Sequence, residues 1–323
     1  MRTRKLGKTD LILTTVGLGT WAIGGPWEFG WGPQNDADSI AAIRTALESG
    51  INWVDTAPAY GCGHGEEIVG RVLREVGEMP IVATKCGLLW NEKRQKLTCL
   101  KAGSIHAECD ASLKRLGVDV IDLYQIHWPD PDADIEEGWE AMVRLREAGK
   151  VRYIGVSNFT VEQLERIEAI ERPVSLQPPY SMIKREAESA LLPYCRERQM
   201  GVVAYSPMQK GLLTGKYTPQ KVAELAPDDH RLRDPNFKGG RLDANLELAR
   251  GIGDLARDYG RTAGQLAIAW VLRRDEVTAA IVGARNARQI AETVQAGDWE
   301  LDEEVLGRVD ELLDRYEEQI ERV

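Results

Sequence analysis

Two rhythms of apolar positions alternate along the chain. Short β-branched and aromatic runs, such as Ile51-Asn-Trp-Val-Asp55 and Pro80-Ile-Val-Ala-Thr-Lys85, have strand length and stop at turn residues. Between them apolar residues recur three and four apart, as at Ile68, Val69, Val72 and Leu73, the spacing of one buried helix face. The pattern predicts strands at about 15–20, 51–55, 81–85, 120–127, 151–158, 174–177, 201–205 and 279–282. Helices are predicted near 35–49, 66–76, 104–116, 135–148, 161–170, 186–199, 245–259, 262–273 and 287–296. A small hairpin near 5–13 precedes the first strand, and a helix at 302–318 follows the last repeat. Strands separated by helices pair in parallel, and eight such units close on themselves. The expected fold is therefore α/β: a (β/α)8 TIM barrel with an N-terminal β-hairpin and extra C-terminal helices. No linker divides the chain, so residues 1–323 read as one barrel domain. The one long connection, 206–245, has the length of a functional loop.

Polar residues fall in phase with this pattern. The strand bodies are apolar, and their ends carry Asp55, Lys85, His127, Ser157 with Asn158, Gln177 and Tyr205, with Arg285 just after the last strand. In a parallel barrel these ends share one mouth, where such enzymes place their chemistry. Tyr60 follows Asp55 in a Pro- and Gly-rich loop. A phenol titrates near ~10, and a nearby ammonium is expected to lower that value toward working pH. Lys85 can supply the ammonium, with Asp55 to pair with it and orient it. His127 can polarise a carbonyl through a neutral ring nitrogen.

Composition narrows the partners. Asp and Glu number 51 against 41 Lys and Arg, a formal charge of −10. That balance argues against nucleic acid or an anionic membrane as the main partner. The five cysteines are odd in number and lack paired metal spacing, which suits reduced thiols in a cytoplasmic protein. The uncharged stretch 11–27 follows a basic start, but Thr and Gly dilute it, so no export signal is expected. The four histidines form no H-E-x-x-H pattern, and no metal is expected.

Beyond these residues, Val16-Gly-Leu-Gly-Thr-Trp21, Val54-Asp-Thr-Ala57, Asp119-Val-Ile-Asp-Leu-Tyr124, Gly149-Lys-Val-Arg-Tyr-Ile-Gly-Val-Ser-Asn-Phe159 and Ala204-Tyr-Ser-Pro207 together resemble the aldo-keto reductases over almost the whole chain. Gln177-Pro-Pro-Tyr and Gly211-Leu-Leu-Thr-Gly-Lys216 are most similar to a bacterial branch, that of the general-stress and inositol-operon enzymes. The resemblance implies Asp55, Tyr60, Lys85 and His127 as a catalytic tetrad, with Tyr60 as proton donor in reversible, NADPH-dependent reduction of aldehydes and ketones. It implies that Ser157, Asn158 and Gln177 hold the nicotinamide amide, with Tyr205 stacked on the ring. Thr20, Trp21 and Asp55 join that end of the cofactor site. Ser206, Pro207, Met208, Gly211, Leu212, Lys216 and Arg231 match the strip along the pyrophosphate. Gly283, Arg285, Gln289, Glu292 and Thr293 match the adenosine-phosphate end, although Thr293 stands where many relatives carry Asn. Trp21, Tyr60, Trp90, His127 and Trp128 are expected around a small carbonyl or alcohol substrate.

Other readings fit less well. Gly17-Leu-Gly-Thr-Trp-Ala22 imitates a dinucleotide fingerprint, but Asp55 lies 38 positions on, against about 20 expected, and no helix opens at once. A Schiff-base lyase using Lys85 leaves Asp55 and the nucleotide strip without a purpose. A nucleotide-sensing regulatory protein of the same fold is the alternative function. Trp21, Trp27, Trp31 and Trp90 are expected in loops, either walling the pocket or packing on the surface.

Overall fold

The structure is a computed structural model that describes residues 1–322. An antiparallel hairpin, β1 (Thr3–Lys5) and β2 (Ile12–Thr14), leads into β3 (Val16–Gly19). Seven further parallel strands follow the sequence rhythm: β4 (Trp53–Asp55), β5 (Ile81–Cys86), β8 (Ile121–Ile126), β9 (Val151–Ser157), β10 (Ser175–Gln177), β11 (Gly201–Tyr205) and β12 (Val277–Gly283). They close in the order β10-β11-β12-β3-β4-β5-β8-β9, a (β/α)8 TIM barrel. Between β5 and β8 lies a second hairpin, β6 (Leu88–Trp90) and β7 (Lys96–Thr98), which the periodicity does not reveal.

Helices α1 (Asp36–Glu48), α2 (His64–Leu73), α3 (Ala102–Leu116), α4 (Ile135–Glu147), α5 (Val161–Glu168) and α6 (Leu191–Arg198) accompany the strands up to β11. The connection after β11 is not structureless. It holds short 3-10 turns and α7 (Pro219–Ala223) before α8 (Gly239–Asp258) and α9 (Ala263–Leu272). Next come α10 (Ala287–Thr293) and α11 (Glu303–Ile320). Helix starts follow local chemistry. The Asn35 side chain caps α1, while Thr160 with Gln163 and Thr262 with Gln265 form capping boxes on α5 and α9.

Strand alternation sorts the core into two layers. Val54, Val82, Tyr124, Ile126, Val156, Leu176 and Val202 face the helices and join the large outer core. Trp53, Ala83, Leu123, Val203, Ala279 and Ile281 belong to a separate inner cluster that includes Leu6, Leu11 and Leu13 of the first hairpin. The hairpin therefore stoppers one mouth of the barrel with apolar side chains. Its turn is pressed close: a Cβ on Gly7 would meet the backbone of Val174, Gln199 and Gly201 at 2.8–2.9 Å. Gly17 leaves room for the Trp53 ring, whose atoms would lie 2.0–2.6 Å from a Cβ there. Two residues along from this inner layer on the same strand faces stand Asp55, Lys85, Gln125 and Tyr205, at the opposite mouth. The fold thus places an apolar plug below and a polar ring above.

Candidate active site

The polar ring is a continuous hydrogen-bonded set. Lys85 is fully buried, and its ammonium donates to Asp55 Oδ1 at 2.6 Å and to the Thr56 carbonyl at 2.9 Å, and approaches Tyr60 Oη at 3.4 Å. Gln177 Nε2 donates to the other Asp55 oxygen at 2.9 Å. Ser157 Oγ donates to the Gln177 carbonyl, Asn158 Nδ2 to the His127 carbonyl, and Tyr205 Oη to Asn158 Oδ1, at 2.8–2.9 Å. Behind Lys85, Thr84 Oγ1 donates to buried Glu66 at 2.6 Å, and Arg115 Nε to the same carboxylate at 2.7 Å, clamping β5 to α2 and α3.

Tyr60 is positioned by backbone contact as well as by its neighbours. Gly61 has φ +71°, and a Cβ there would lie 1.8 Å from the Gly24 carbonyl oxygen. A side chain on either glycine would push the first loop away from the Tyr60 loop. The His127 ring meets Tyr60 edge to face at 5.8 Å between centroids. Its Nδ1 is buried without a protein partner, and the ring lines the cleft. Asn158 and Ser206, at the ends of β9 and β11, have φ of 64° and 57°, the left-handed backbone found at ligand clamps.

Electrostatics at Tyr60 run opposite to the sequence expectation. Burial, and then the Asp55 carboxylate, raise the phenol well above its ordinary range. The physical reason is the 2.6 Å ion pair: Asp55 matches the Lys85 charge, so little net positive field reaches the phenol. Burial pulls the ammonium down while Asp55 pulls it up, and burial dominates. Burial, followed by the charges of Lys85 and Lys96, holds His127 well below its usual value, so its imidazole is neutral near pH 7.

These groups open into a cleft of about 650 Å³. Trp21, Trp27, Phe29, Trp31, Leu88 and Trp128 wall one end beside Tyr60 and His127. The strip expected to take a nucleotide lines the remainder: Ser157, Asn158, Gln177, Tyr205, Ser206, Pro207, Met208, Gly211, Lys216, Arg231, Gly283, Arg285, Gln289, Glu292 and Thr293. Four expected residues do not line the cleft: Lys85 is fully buried beside Asp55, and three others are displaced. Thr20 is buried with its hydroxyl on the Asp55 carbonyl and Thr56. Leu212 turns into a small core with Val222, Phe237 and Leu242. Trp90 is paired within β6 rather than in a loop and does not line the cleft. Conversely, Lys96, Lys210, Tyr217, Lys221 and His230 line it although the sequence did not mark them. His230 lies against Trp21 at 4.7 Å and Trp31 at 5.4 Å between ring centroids.

The comparisons with known proteins agree with this geometry. The description "Aldo/keto reductase family" matches residues 15–314. The chain belongs to the aldo/keto reductase family. It is 40% identical over 307 residues to the aldo-keto reductase YhdN of Bacillus subtilis, covering 94% of this chain and 91% of that one. It is 35% identical over 314 residues to an NADH-specific methylglyoxal reductase of Escherichia coli, covering 92% and 93%. Among solved structures, the glycerol dehydrogenase AKR11B4 of Gluconobacter oxydans superposes with a TM-score of 0.88 at 37% identity, covering 97% of this chain and 95% of that one. The chain is thus an oxidoreductase of a family that uses nicotinamide cofactors. No described helix is long and apolar enough to cross a membrane.

Histidine burial has a measurable consequence. Burial foremost pushes His230 down to about 4, whereas an unfolded histidine titrates near ~6.5. Between these values the unfolded chain takes a proton that the folded one refuses, so stability present above pH ~6.5 is lost as pH falls. Glu108, raised to about 7 by burial, acts in the opposite sense but is common to both proteins compared. Melting temperatures of wild type and His230→Gln from pH 7 to pH 4 should therefore diverge, with wild type falling more steeply.

Proposed function

We propose that this enzyme reduces aldehydes and ketones reversibly, with Tyr60 as the proton donor and NADPH as the preferred cofactor. The observation that carries the reading is the buried Lys85 ammonium, bonded to Asp55 and 3.4 Å from Tyr60 Oη, with the His127 imidazole against Tyr60 in the cleft lining. A bound reduced nicotinamide supplies the hydride. The residues around its expected place suit it: Asn158 and Gln177 carry amides, Tyr205 offers a ring, and all line the cleft.

The protein's part in the chemistry follows from its charges. A phenol held neutral by burial is in the donating form at working pH. As the carbonyl oxygen gains electron density, neutral His127 can donate a hydrogen bond to it, and Tyr60 delivers its proton. The phenolate so formed lies beside the Lys85 ammonium, which stabilises it most at that moment. In the oxidative direction the same phenolate receives the alcohol proton. The intact Asp55–Lys85–Tyr60 set, with Asp55 and Tyr60 lining the cleft, favours turnover over nucleotide sensing.

The cofactor preference rests on two guanidinium groups. Arg231 is held by Asp229 and by Tyr217, and its charge depresses Arg285 second only to burial. Two cations brought within mutual repulsion suit a doubly charged 2′-phosphate. Two backbone donors around the start of α10 are already taken. Gln289 Oε1 already accepts from the Arg285 N–H at 2.8 Å, and Asn286 Oδ1 accepts from the Gln289 N–H at 3.0 Å. The Arg285 guanidinium itself reaches Gln34 Oε1 at 2.7 Å and the carbonyls of Trp31 and Pro33, tying the first loop to the phosphate end. The Escherichia coli relative is NADH-specific by name, so membership of the family does not by itself fix the cofactor.

Tyr60→Phe removes only the hydroxyl. Carbonyl reduction should fall by about 10²–10⁴-fold while fluorescence titration shows NADPH binding retained; near wild-type turnover with chemistry rate-limiting would rule Tyr60 out as donor. Arg285→Ala should weaken NADPH by about ten- to a hundredfold, the value of a charge-assisted hydrogen bond of roughly 1.5–3 kcal/mol, and NADH much less. Equal losses for the two cofactors would make Arg285 a purely structural clasp for the first loop.

A further inference from the structure

Six cations other than Lys85 line or reach the cleft: Lys96, Lys210, Lys216, Lys221, Arg231 and Arg285. Five have settled partners. Lys210 pairs with Asp234 at 2.7 Å, Lys216 with Glu292 at 2.9 Å, and Arg231 with Asp229. Lys221 Nζ donates to the Lys216 carbonyl, and Arg285 to the first loop. Lys96 differs. Among the described residues its ammonium makes no hydrogen bond or ion pair; its recorded neighbour is the Phe29 ring, 5.9 Å away. The nearby carboxylate of Glu28 accepts from the Lys96 backbone N–H at 3.0 Å and forms no ion pair with the ammonium.

Where Lys96 stands matters as much as its freedom. It is on β7, in the hairpin that also brings Leu88 to the aromatic end of the cleft. Its charge is felt at His127, whose basicity it helps to lower. It therefore stands over the carbonyl end, with Phe29 beneath its ammonium and Trp27 and Trp128 lining the same cleft. An aromatic wall with one uncommitted cation at its edge matches an apolar body that ends in an anion. Deepening the reductase reading on which it rests, we infer that Lys96 is a specificity residue that selects carbonyl substrates carrying a carboxylate at the end remote from the carbonyl.

The chemistry of the reduction is unchanged by this choice: hydride goes to the carbonyl carbon, a proton to its oxygen, and the carboxylate stays intact throughout. The ion pair forms in the ground state and persists in the transition state, so the effect belongs in KM rather than kcat. It is also expected to weaken with salt, because the ammonium is exposed.

The test compares 4-carboxybenzaldehyde with its methyl ester, which has the same ring and aldehyde but no charge. Initial rates with NADPH are measured at low and high ionic strength for wild type, Lys96→Gln and Lys96→Arg. In wild type the ratio of kcat/KM for the acid over the ester should fall as salt is added. Lys96→Gln should lower that ratio about two- to fivefold at low salt, through KM for the acid, as expected for one solvent-exposed ion pair, and should abolish its salt dependence. Lys96→Arg should restore both. An acid-to-ester ratio and salt dependence that are the same in wild type and Lys96→Gln overturn the assignment of Lys96 while leaving the reductase reading intact. Failure of wild type to reduce either aldehyde, or any neutral carbonyl compound, overturns the reductase reading and this inference with it.

Discussion

A lysine with no solvent exposure organises the active end of this barrel. Burying an ammonium is tolerable only when a carboxylate and further acceptors replace its water. Lys85 has both, from Asp55 and the Thr56 carbonyl. The two carboxylate oxygens are then divided between Lys85 and Gln177, and Gln177 receives the Ser157 hydroxyl on its own carbonyl. One ion pair therefore fixes side chains from β4, β5, β9 and β10. Removing Asp55 would leave a buried cation without a counter-charge, and removing Lys85 a nearly buried carboxylate. The pair also explains why the phenol beside it is held neutral: from Tyr60 the two charges largely cancel, and burial is left to decide.

The first loop links the Arg285 end of the cleft to the Tyr60 end. The stretch that carries Trp27, Phe29 and Trp31 is tied at one point to Tyr60 through the Gly24–Gly61 contact and at another to Arg285 through Trp31, Pro33 and Gln34. His230 from the long connection packs between Trp21 and Trp31. The pocket wall thus leans on side chains that are themselves placed along the nucleotide strip.

Much of this was legible in the sequence because the strand period is two and each strand is short. Asp55, Lys85 and Tyr205 fall in phase with the inner-layer residues Trp53, Ala83 and Val203, so apolar bodies with polar ends foretold one ring. Residues set by long-range contacts were not legible. The β6–β7 hairpin is too short and mixed in character to stand out, and with it went the true place of Trp90 and the contribution of Lys96. Thr20 matched a strand-end position but turns onto the Asp55 carbonyl, and Leu212 lies in the strip's sequence while its side chain packs away from the cleft. The direction of the Tyr60 shift was also hidden, because residue types cannot show how closely Asp55 compensates Lys85.

In the proposed mechanism Lys85 acts through Tyr60 and has no independent catalytic role. A double-mutant cycle on the chemical step measures this directly: single-turnover reduction by wild type, Tyr60→Phe, Lys85→Met and the double variant, with saturating cofactor. Groups that act as a unit are strongly non-additive. The double variant should be no slower than the slower single variant, because without the phenol there is no phenolate for the ammonium to stabilise. Losses that multiply across the two substitutions would show that Lys85 contributes separately and would contradict the account.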